Sequence, residues 1–192
     1  MSLKIAQTVS LVAATVATGI TAGTLAAFAY SVMPGLHHLD DRTFVNSMNR
    51  MNQAILNGWF MLCFVGALLF IIAAGLLQLH RHERPVLYWL VAGVVLYAVV
   101  LIITSGVNVP LNNKMLHDGD QHLANFAAIR DHFESRWVTW NIIRVVINVA
   151  AFIALTGALV VHGRVSNSEP STRQAHAHQA QSATTPASVI YH

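Results

Sequence analysis

The chain has 192 residues, of which 55% are hydrophobic and only 10% charged, against roughly 25% charged in a soluble domain. So little charge cannot clothe a water-facing surface of normal size, so most of the surface must face lipid. The formal charge of +3 is scattered with no basic stripe, which argues against nucleic acid as a partner. The single Cys63 excludes an intramolecular disulfide framework and a cysteine zinc cluster.

Four runs are long and apolar enough to cross a bilayer, which takes about 20 residues of helix: residues 5–33, 56–79, 86–107 and 138–161. They must be helices, because an open sheet would leave backbone groups unsatisfied in hydrocarbon. The expected fold class is all-α: a bundle of four transmembrane helices, with two helical extracytoplasmic connections and a disordered C-terminal tail. The domains are then 1–163, the membrane bundle, and 164–192, the tail.

The first run carries no charged residue from 5 to 39, too long for the apolar region of a cleaved signal. Thr15, Gly19, Gly23 and Ala27 recur every four residues and give it one smooth face for close helix packing. Pro34-Gly35 marks its end. In the connection of residues 34–55, Asp40 or Asp41 can cap a helix. Phe44, Met48, Met51 and Ile55 supply an apolar face, with Asn46, Asn49, Arg50, Gln53 and Asn57 opposite.

The second and third runs are joined by the tight turn "HRHERP". Its two arginines place that side, and with it both termini, in the cytoplasm. The third run closes on "GVNVPLNN", where Pro110 stops a helix and Asn108, Asn112 and Asn113 offer donors and acceptors. The connection of residues 108–137 has Phe126, Ile129, Phe133 and Trp137 at helical spacing. With no Gly or Pro from 120 to 142 it runs on into the fourth run. After Arg164 the chain is polar and of low complexity, the composition of a disordered tail.

The densest polar cluster is "RWVTWNIIR". On a helix Arg136, Trp140 and Arg144 form one stripe, and Trp137, Asn141 and Arg144 the adjacent one. A belt of interfacial aromatics with a snorkelling arginine explains the tryptophans. It explains Arg144 less well. Arg144 lies a turn inside the apolar run, with Asn148 beyond it, where a charge costs a few kcal/mol and usually faces a bundle interior. A second cluster, "MPGLHHLDD", carries His37 and His38. His117, His122 and His132 from the other connection could join them in space. Without an HExxH or Glu-x-x-His pattern the expectation is no metal site, and a neutral histidine that accepts a proton.

In order, "YSVMPGLHHLDDRTFVNSMNRMNQAILN", "NVPLNN" and "RWVTWNIIR" each lie beside an apolar run. This arrangement resembles the anthrone oxygenase family of small four-span membrane proteins, over roughly residues 9–161. The resemblance implies a membrane oxidoreductase, an anthrone oxygenase-like monooxygenase that acts on flat phenolic or polyketide-like substrates.

An anthrone is a flat, weakly acidic tricycle whose enolate can itself hand an electron to dioxygen. The protein then needs a base, oxyanion donors and a dry slot. His37, His38 or His132 could be the base. Arg144, Asn141 and Asn112 could be the donors, and Trp137 and Trp140 the flat walls. Asn108, Arg136 and Asn57 are further candidates for substrate contact. No dinucleotide glycine motif, CxxCH or iron–sulfur pattern occurs, so no cofactor is expected, with a histidine-bound metal or haem left open. The partners expected are the lipid bilayer and a small hydrophobic aromatic molecule. A non-catalytic binding, transport or structural four-helix protein is the alternative.

Overall fold

The computed structural model describes residues 3–79, 84–121 and 124–184, with side chains to residue 166 apart from Arg84. Every element among them is helical. Helix α1 (Leu3–Ala27) passes through a π-helical turn (Phe28–Val32) into α2 (Met33–His37). Helices α3 (Asp41–Ala54) and α4 (Gly58–Leu79) follow. Helix α5 (Arg84–Ile103) passes through a second π-turn (Thr104–Asn108) into α6 (Val109–Gly119), and α7 (Phe126–Thr184) is the last.

Four continuous helical stretches are apolar enough to cross a membrane: Leu3–His37, Gly58–Leu79, Pro85–Gly119 and Phe126–Ser166. The protein is therefore an integral membrane protein built as a four-helix bundle. At 1.5 Å per residue α4 is about 33 Å long, close to the ~30 Å hydrocarbon core. The other three, of 35, 35 and 41 residues, run about 20 Å or more past that length. Their excess, together with α3, forms a folded cap above one end of the bundle.

Neither proline stops its helix. Inside an α-helix, the Pro34 ring would strike the carbonyl of Tyr30, and that of Pro110 the carbonyl of Gly106. Both carbonyls lie in the π-turns. There the ladder widens to i+5, with Met33 N–H bonded to Phe28 O and Val109 N–H to Thr104 O. The widened turn makes room for the ring, and the helix continues into the cap. The expected ends at Pro34-Gly35 and Pro110 are corrected accordingly.

Two cores hold the molecule. In the membrane half, Leu11, Ala14, Ala67, Ile71, Ala74, Leu90, Tyr97, Ala151 and Leu155 pack between the four spans. Tyr97 is fully buried, and its hydroxyl donates to Phe64 O at 2.7 Å. At the far end from the cap, α1, α4 and α7 are tied by a buried polar knot. Gln7 Nε2 donates to Leu77 O, Gln78 Nε2 lies 3.1 Å from His162 Nδ1, and His162 Nε2 lies 3.1 Å from Thr8 Oγ1. The cap core gathers Met33, Leu36, Phe44, Val45, Met48, Met115, Phe133 and Trp137. Asp40 caps α3, accepting from Thr43 N–H at 3.0 Å. Thr43 thereby holds the Asp40 carboxyl below its usual range.

Two packing expectations change. Asn49, read as part of the polar face of α3, is buried at 8% exposure, against the end of α6. Gly119 makes that approach possible, since a Cβ there would lie 3.2 Å from both Asn49 Nδ2 and Val45 Cγ1. On α1 the smooth stripe is only half used. Gly23 is exposed, and the buried face runs instead through Leu11, Ala14, Thr18, Thr21 and Leu25. The expected tail begins where α7 passes residue 164. Its backbone is helical to Thr184, the side chains past residue 166 lie outside those described, and so do residues 185–192.

Close packing predicts two opposite outcomes for glycine replacement. A Cβ on Gly93 would lie 2.9 Å from Leu155 Cδ2, in a fully buried contact. Gly93→Leu should therefore destabilise the detergent-solubilised protein by about 1–3 kcal/mol through overpacking. Gly23→Leu, whose Cβ meets nothing within 4 Å, should leave the thermal midpoint unchanged.

Candidate functional site

The buried positions of α7 include Trp137, Asn141, Arg144, Asn148, Ala151, Leu155, Ala158 and His162. Their spacing alternates four and three, the period of a seam that faces the same neighbours along its whole length. The lower part of this seam is aliphatic. The upper part, beside the two π-turns, is polar. It is the Trp137 stripe that turns inward, and the Arg136–Trp140 stripe lies outside.

Arg144 is 4% exposed, so it is no snorkelling anchor. Its guanidinium donates to Thr104 Oγ1 at 3.1 Å and to Asn141 Oδ1 at 2.9 Å. It also faces the Trp137 ring, 5.7 Å from the centroid. Asn141 Nδ2 donates to Leu25 O at 3.0 Å, just below the first π-turn, and so joins α1 to the cluster. Trp137 Nε1 donates to Asn112 Oδ1 at 2.8 Å, and its ring packs on Phe28 and Phe133. Asn108, 1% exposed, donates to Trp137 O at 3.4 Å from the second π-turn. Arg144, Asn141, Asn108, Asn112 and Trp137 thus form one connected group.

Its depth follows from the polar knot. Gln78 and His162 are level, since they bond. Arg144 lies eighteen residues above His162 and Gly58 twenty above Gln78, so Arg144 sits about 3 Å below the outer end of α4. No carboxylate pairs with it among the described residues. Four buried atoms here have no partner: Arg144 Nε, Asn108 Oδ1, and both Nδ2 and Oδ1 of Asn148, one turn deeper. Buried polar atoms are nearly always paired. This group therefore holds a positive charge with two free donors, Arg144 Nε and Asn148 Nδ2, and two free acceptors, Asn108 Oδ1 and Asn148 Oδ1, inside an apolar bundle; the charge and the donors suit an oxyanion.

The cap histidines do not reach it. His37 Nδ1 lies 2.7 Å from Glu134 Oε1, and Glu134 is ten residues, about 15 Å, up α7 from Arg144. His38 is exposed beside His37, ring centroids 5.8 Å apart. Because α2 continues through Pro34, both rings are carried away from the bilayer, and the expected union of His37 and His38 with Arg144 is not what the fold makes. His37 instead joins a latch centred on Arg130. That guanidinium binds Glu134 at 2.7 Å, Asp41 at 3.0 Å, and the carbonyls of Leu39 and His37 at 2.8 and 2.7 Å. It lies 4.6 Å over the Phe44 ring. Asn57 is also elsewhere, as the N-cap of α4 with Oδ1 accepting from Phe60 N–H at 3.0 Å.

Two open cavities flank the outer stripe. One of about 490 Å³ is lined by Gly106, Pro110, Lys114, Arg136 and Trp140 among others. One of about 350 Å³, higher in the cap, takes in His132, Asp118, Met115 and Phe133. His122 lies outside the described residues, and among those described no three His, Cys, Asp or Glu side chains group to hold a metal ion. Sequence reasoning missed Thr104, Arg130 and Glu134. Only Thr104 leaves a trace, as the polar start of "TSG" within an otherwise apolar run.

Fold and site define a small four-span membrane protein with a buried cationic centre under a helical cap. The anthrone oxygenase family model matches residues 59–154, half of the chain, and the chain belongs to that family. The matched region contains Asn108, Asn112, Arg136, Trp137, Trp140, Asn141 and Arg144, and leaves out His37, His38 and Asn57. No curated protein and no solved structure matches the chain.

The latch predicts a test of cap integrity. Arg130→Ala should speed amide exchange across residues 33–54 by about tenfold or more, since charged hydrogen bonds are worth ~1.5–3 kcal/mol. Arg130→Lys should restore only part of the protection, because an ammonium cannot reproduce the four-way fork.

Proposed function

We propose that this protein is a membrane oxidoreductase that uses dioxygen to oxidise a flat, weakly acidic aromatic, with an anthrone as the model substrate. The benzylic carbon loses one proton to a base, giving an enolate. The enolate passes an electron to dioxygen, and the resulting radical and superoxide join through a new C–O bond. The remaining C–H and the O–O bond then break, releasing water and leaving a quinone carbonyl. One dioxygen is consumed, one oxygen atom enters the product, and the other leaves as water. The substrate supplies all the electrons, so the protein needs no electron carrier of its own.

The observation that carries this reading is the buried Arg144 guanidinium, without a carboxylate partner among the described residues and with Nε unsatisfied beside the Trp137 ring. A cation with the free donors Arg144 Nε and Asn148 Nδ2, fixed in an apolar setting, stabilises a developing enolate oxygen without first having to reorganise, worth about 10²–10³ in rate per donor. An aromatic wall beside them suits a flat ring. Membership of the family supports the same reaction. The reading places the cap on the extracytoplasmic side, with both termini in the cytoplasm.

Oxygen uptake by the detergent-purified protein with an anthrone tests the reading, with quinone formation followed by absorption. The wild type should consume one dioxygen per quinone formed. Arg144→Met should lower the rate about 100-fold or more. The same variant leaves Asn141 Oδ1 without its donor and should lose about 1–3 kcal/mol of stability, so its rate is compared with wild type at a temperature well below both thermal midpoints. Uptake no faster than the spontaneous reaction, or full activity in Arg144→Met, would sink the proposal.

A further inference from the structure

The two cavities are not separate features. Both are lined by Leu111 and Lys114, so they adjoin along α6 and together make a cleft between α6 and α7. On α7 its wall is Ala128, His132, Arg136 and Trp140, every fourth residue and so a single stripe. On the other side lie the second π-turn and α6, through Gly106, Pro110 and Lys114. The lower end starts beside Trp140, one turn of α7 from Arg144, where the bundle meets the outer edge of the bilayer. The upper end reaches His132 in the cap.

The charges in this cleft do not cancel. From α6, Lys114 is paired to Asp118 at 2.8 Å. From α7 come Arg136, which is exposed and makes no ion pair among the described residues, and His132, also exposed. The surplus is one fixed cation, beside an indole that is 36% exposed. Each cavity falls within the ~300–1,000 Å³ that holds small organic ligands. A rigid aromatic with one acidic oxygen fits this combination: its ring lies along Trp140 and Pro110 and its oxygen meets Arg136. Either a flat phenol or an anionic lipid could supply such an oxygen. The flat indole wall and an imidazole farther along the same side of α7 favour the phenol.

We propose that the α6–α7 cleft is the docking site at which a flat phenolic aromatic is held as it enters sideways from the bilayer edge, before it reaches Arg144, with Arg136 holding its oxygen and His132 taking its phenolic proton. This rests on the oxidoreductase reading above for its substrate class, but it can fail or stand separately. Gly106 offers a clean way to test it. A Cβ there meets nothing within 4 Å, so a larger side chain fills the cleft without disturbing the packing.

The probe is 2-hydroxyanthraquinone, a flat phenol that is already oxidised, titrated into the full chain in phosphatidylcholine nanodiscs. Binding is read by tryptophan quenching, and phenol ionisation by the red shift of the dye. Gly106→Leu should weaken binding about tenfold or more with an unchanged thermal midpoint. Trp140→Phe should reduce the quenching. The bound dye should ionise about one pH unit or more below the free dye, as a nearby cation dictates, and Arg136→Gln and His132→Gln should each reverse part of that shift.

Equal affinity in wild type and Gly106→Leu overturns the proposal. So does an unshifted ionisation, or displacement of the dye by phosphatidylglycerol, which would make this a lipid site. Because the dye cannot be oxidised, loss of binding in Gly106→Leu upholds the cleft even if no oxygen uptake is ever seen. Oxygen uptake that survives Gly106→Leu unchanged leaves the reaction standing and removes the cleft from it.

Discussion

A guanidinium inside an apolar bundle, with no carboxylate among the described residues to balance it, is the constraint around which the upper half of this protein is organised. A charge in the membrane costs a few kcal/mol unless polar groups surround it. Here three groups supply them: the Thr104 hydroxyl from a π-turn, and the Asn141 amide and the Trp137 ring from α7 itself. Asn141 in turn is fixed by the carbonyl of Leu25 on α1. A pair of opposite charges would have been self-sufficient. The lone cation, with unsatisfied atoms on Arg144 and Asn148, is suited to take a negative ligand.

The two π-turns make that surrounding possible. Each sits just before a proline, and each lets its helix continue where an ordinary α-helical turn would clash. Widening the turn shifts the backbone ladder, so carbonyl and side-chain acceptors near the changeover are offered sideways. Single π-turns of this sort recur at functional sites. In this protein the two of them flank the polar part of α7, one presenting Phe28 to the Trp137 ring and the other presenting Thr104 and Asn108. The same continuity raises the cap. Helices that run past the bilayer need a second core and a latch to hold them, and Phe44, Phe133 and Arg130 supply both.

Much of this could be read in the sequence, and the reasons differ from one residue to the next. Spans were visible because hydrocarbon tolerates almost no charge over some 20 residues. The cap of α3 at Asp40 was visible because capping is a local contact, three residues apart. Pro34 misled because its effect on a helix depends on whether the turn before it can widen, and no local pattern records that. Asn49 misled because amphipathic spacing says which residues share a face, whereas a second helix ending in Gly119 decided that this amide would be covered. The latch was invisible because Arg130 meets Asp41 and the carbonyls of His37 and Leu39 across some ninety residues.

The sequence alone determined that four apolar helices cross a bilayer. It also determined that one of them carries Arg144, at a depth where charge is expensive, on two possible stripes with tryptophans. Both statements follow from composition and from the fixed geometry of a single helix. Only the tertiary structure decided which stripe turns inward, that Thr104 and not a carboxylate meets the guanidinium, and that the histidines after Gly35 stand about 15 Å away. The rotation of a helix about its axis and the level at which its neighbours stop are set by packing between distant segments. A periodic pattern within one segment carries no record of either.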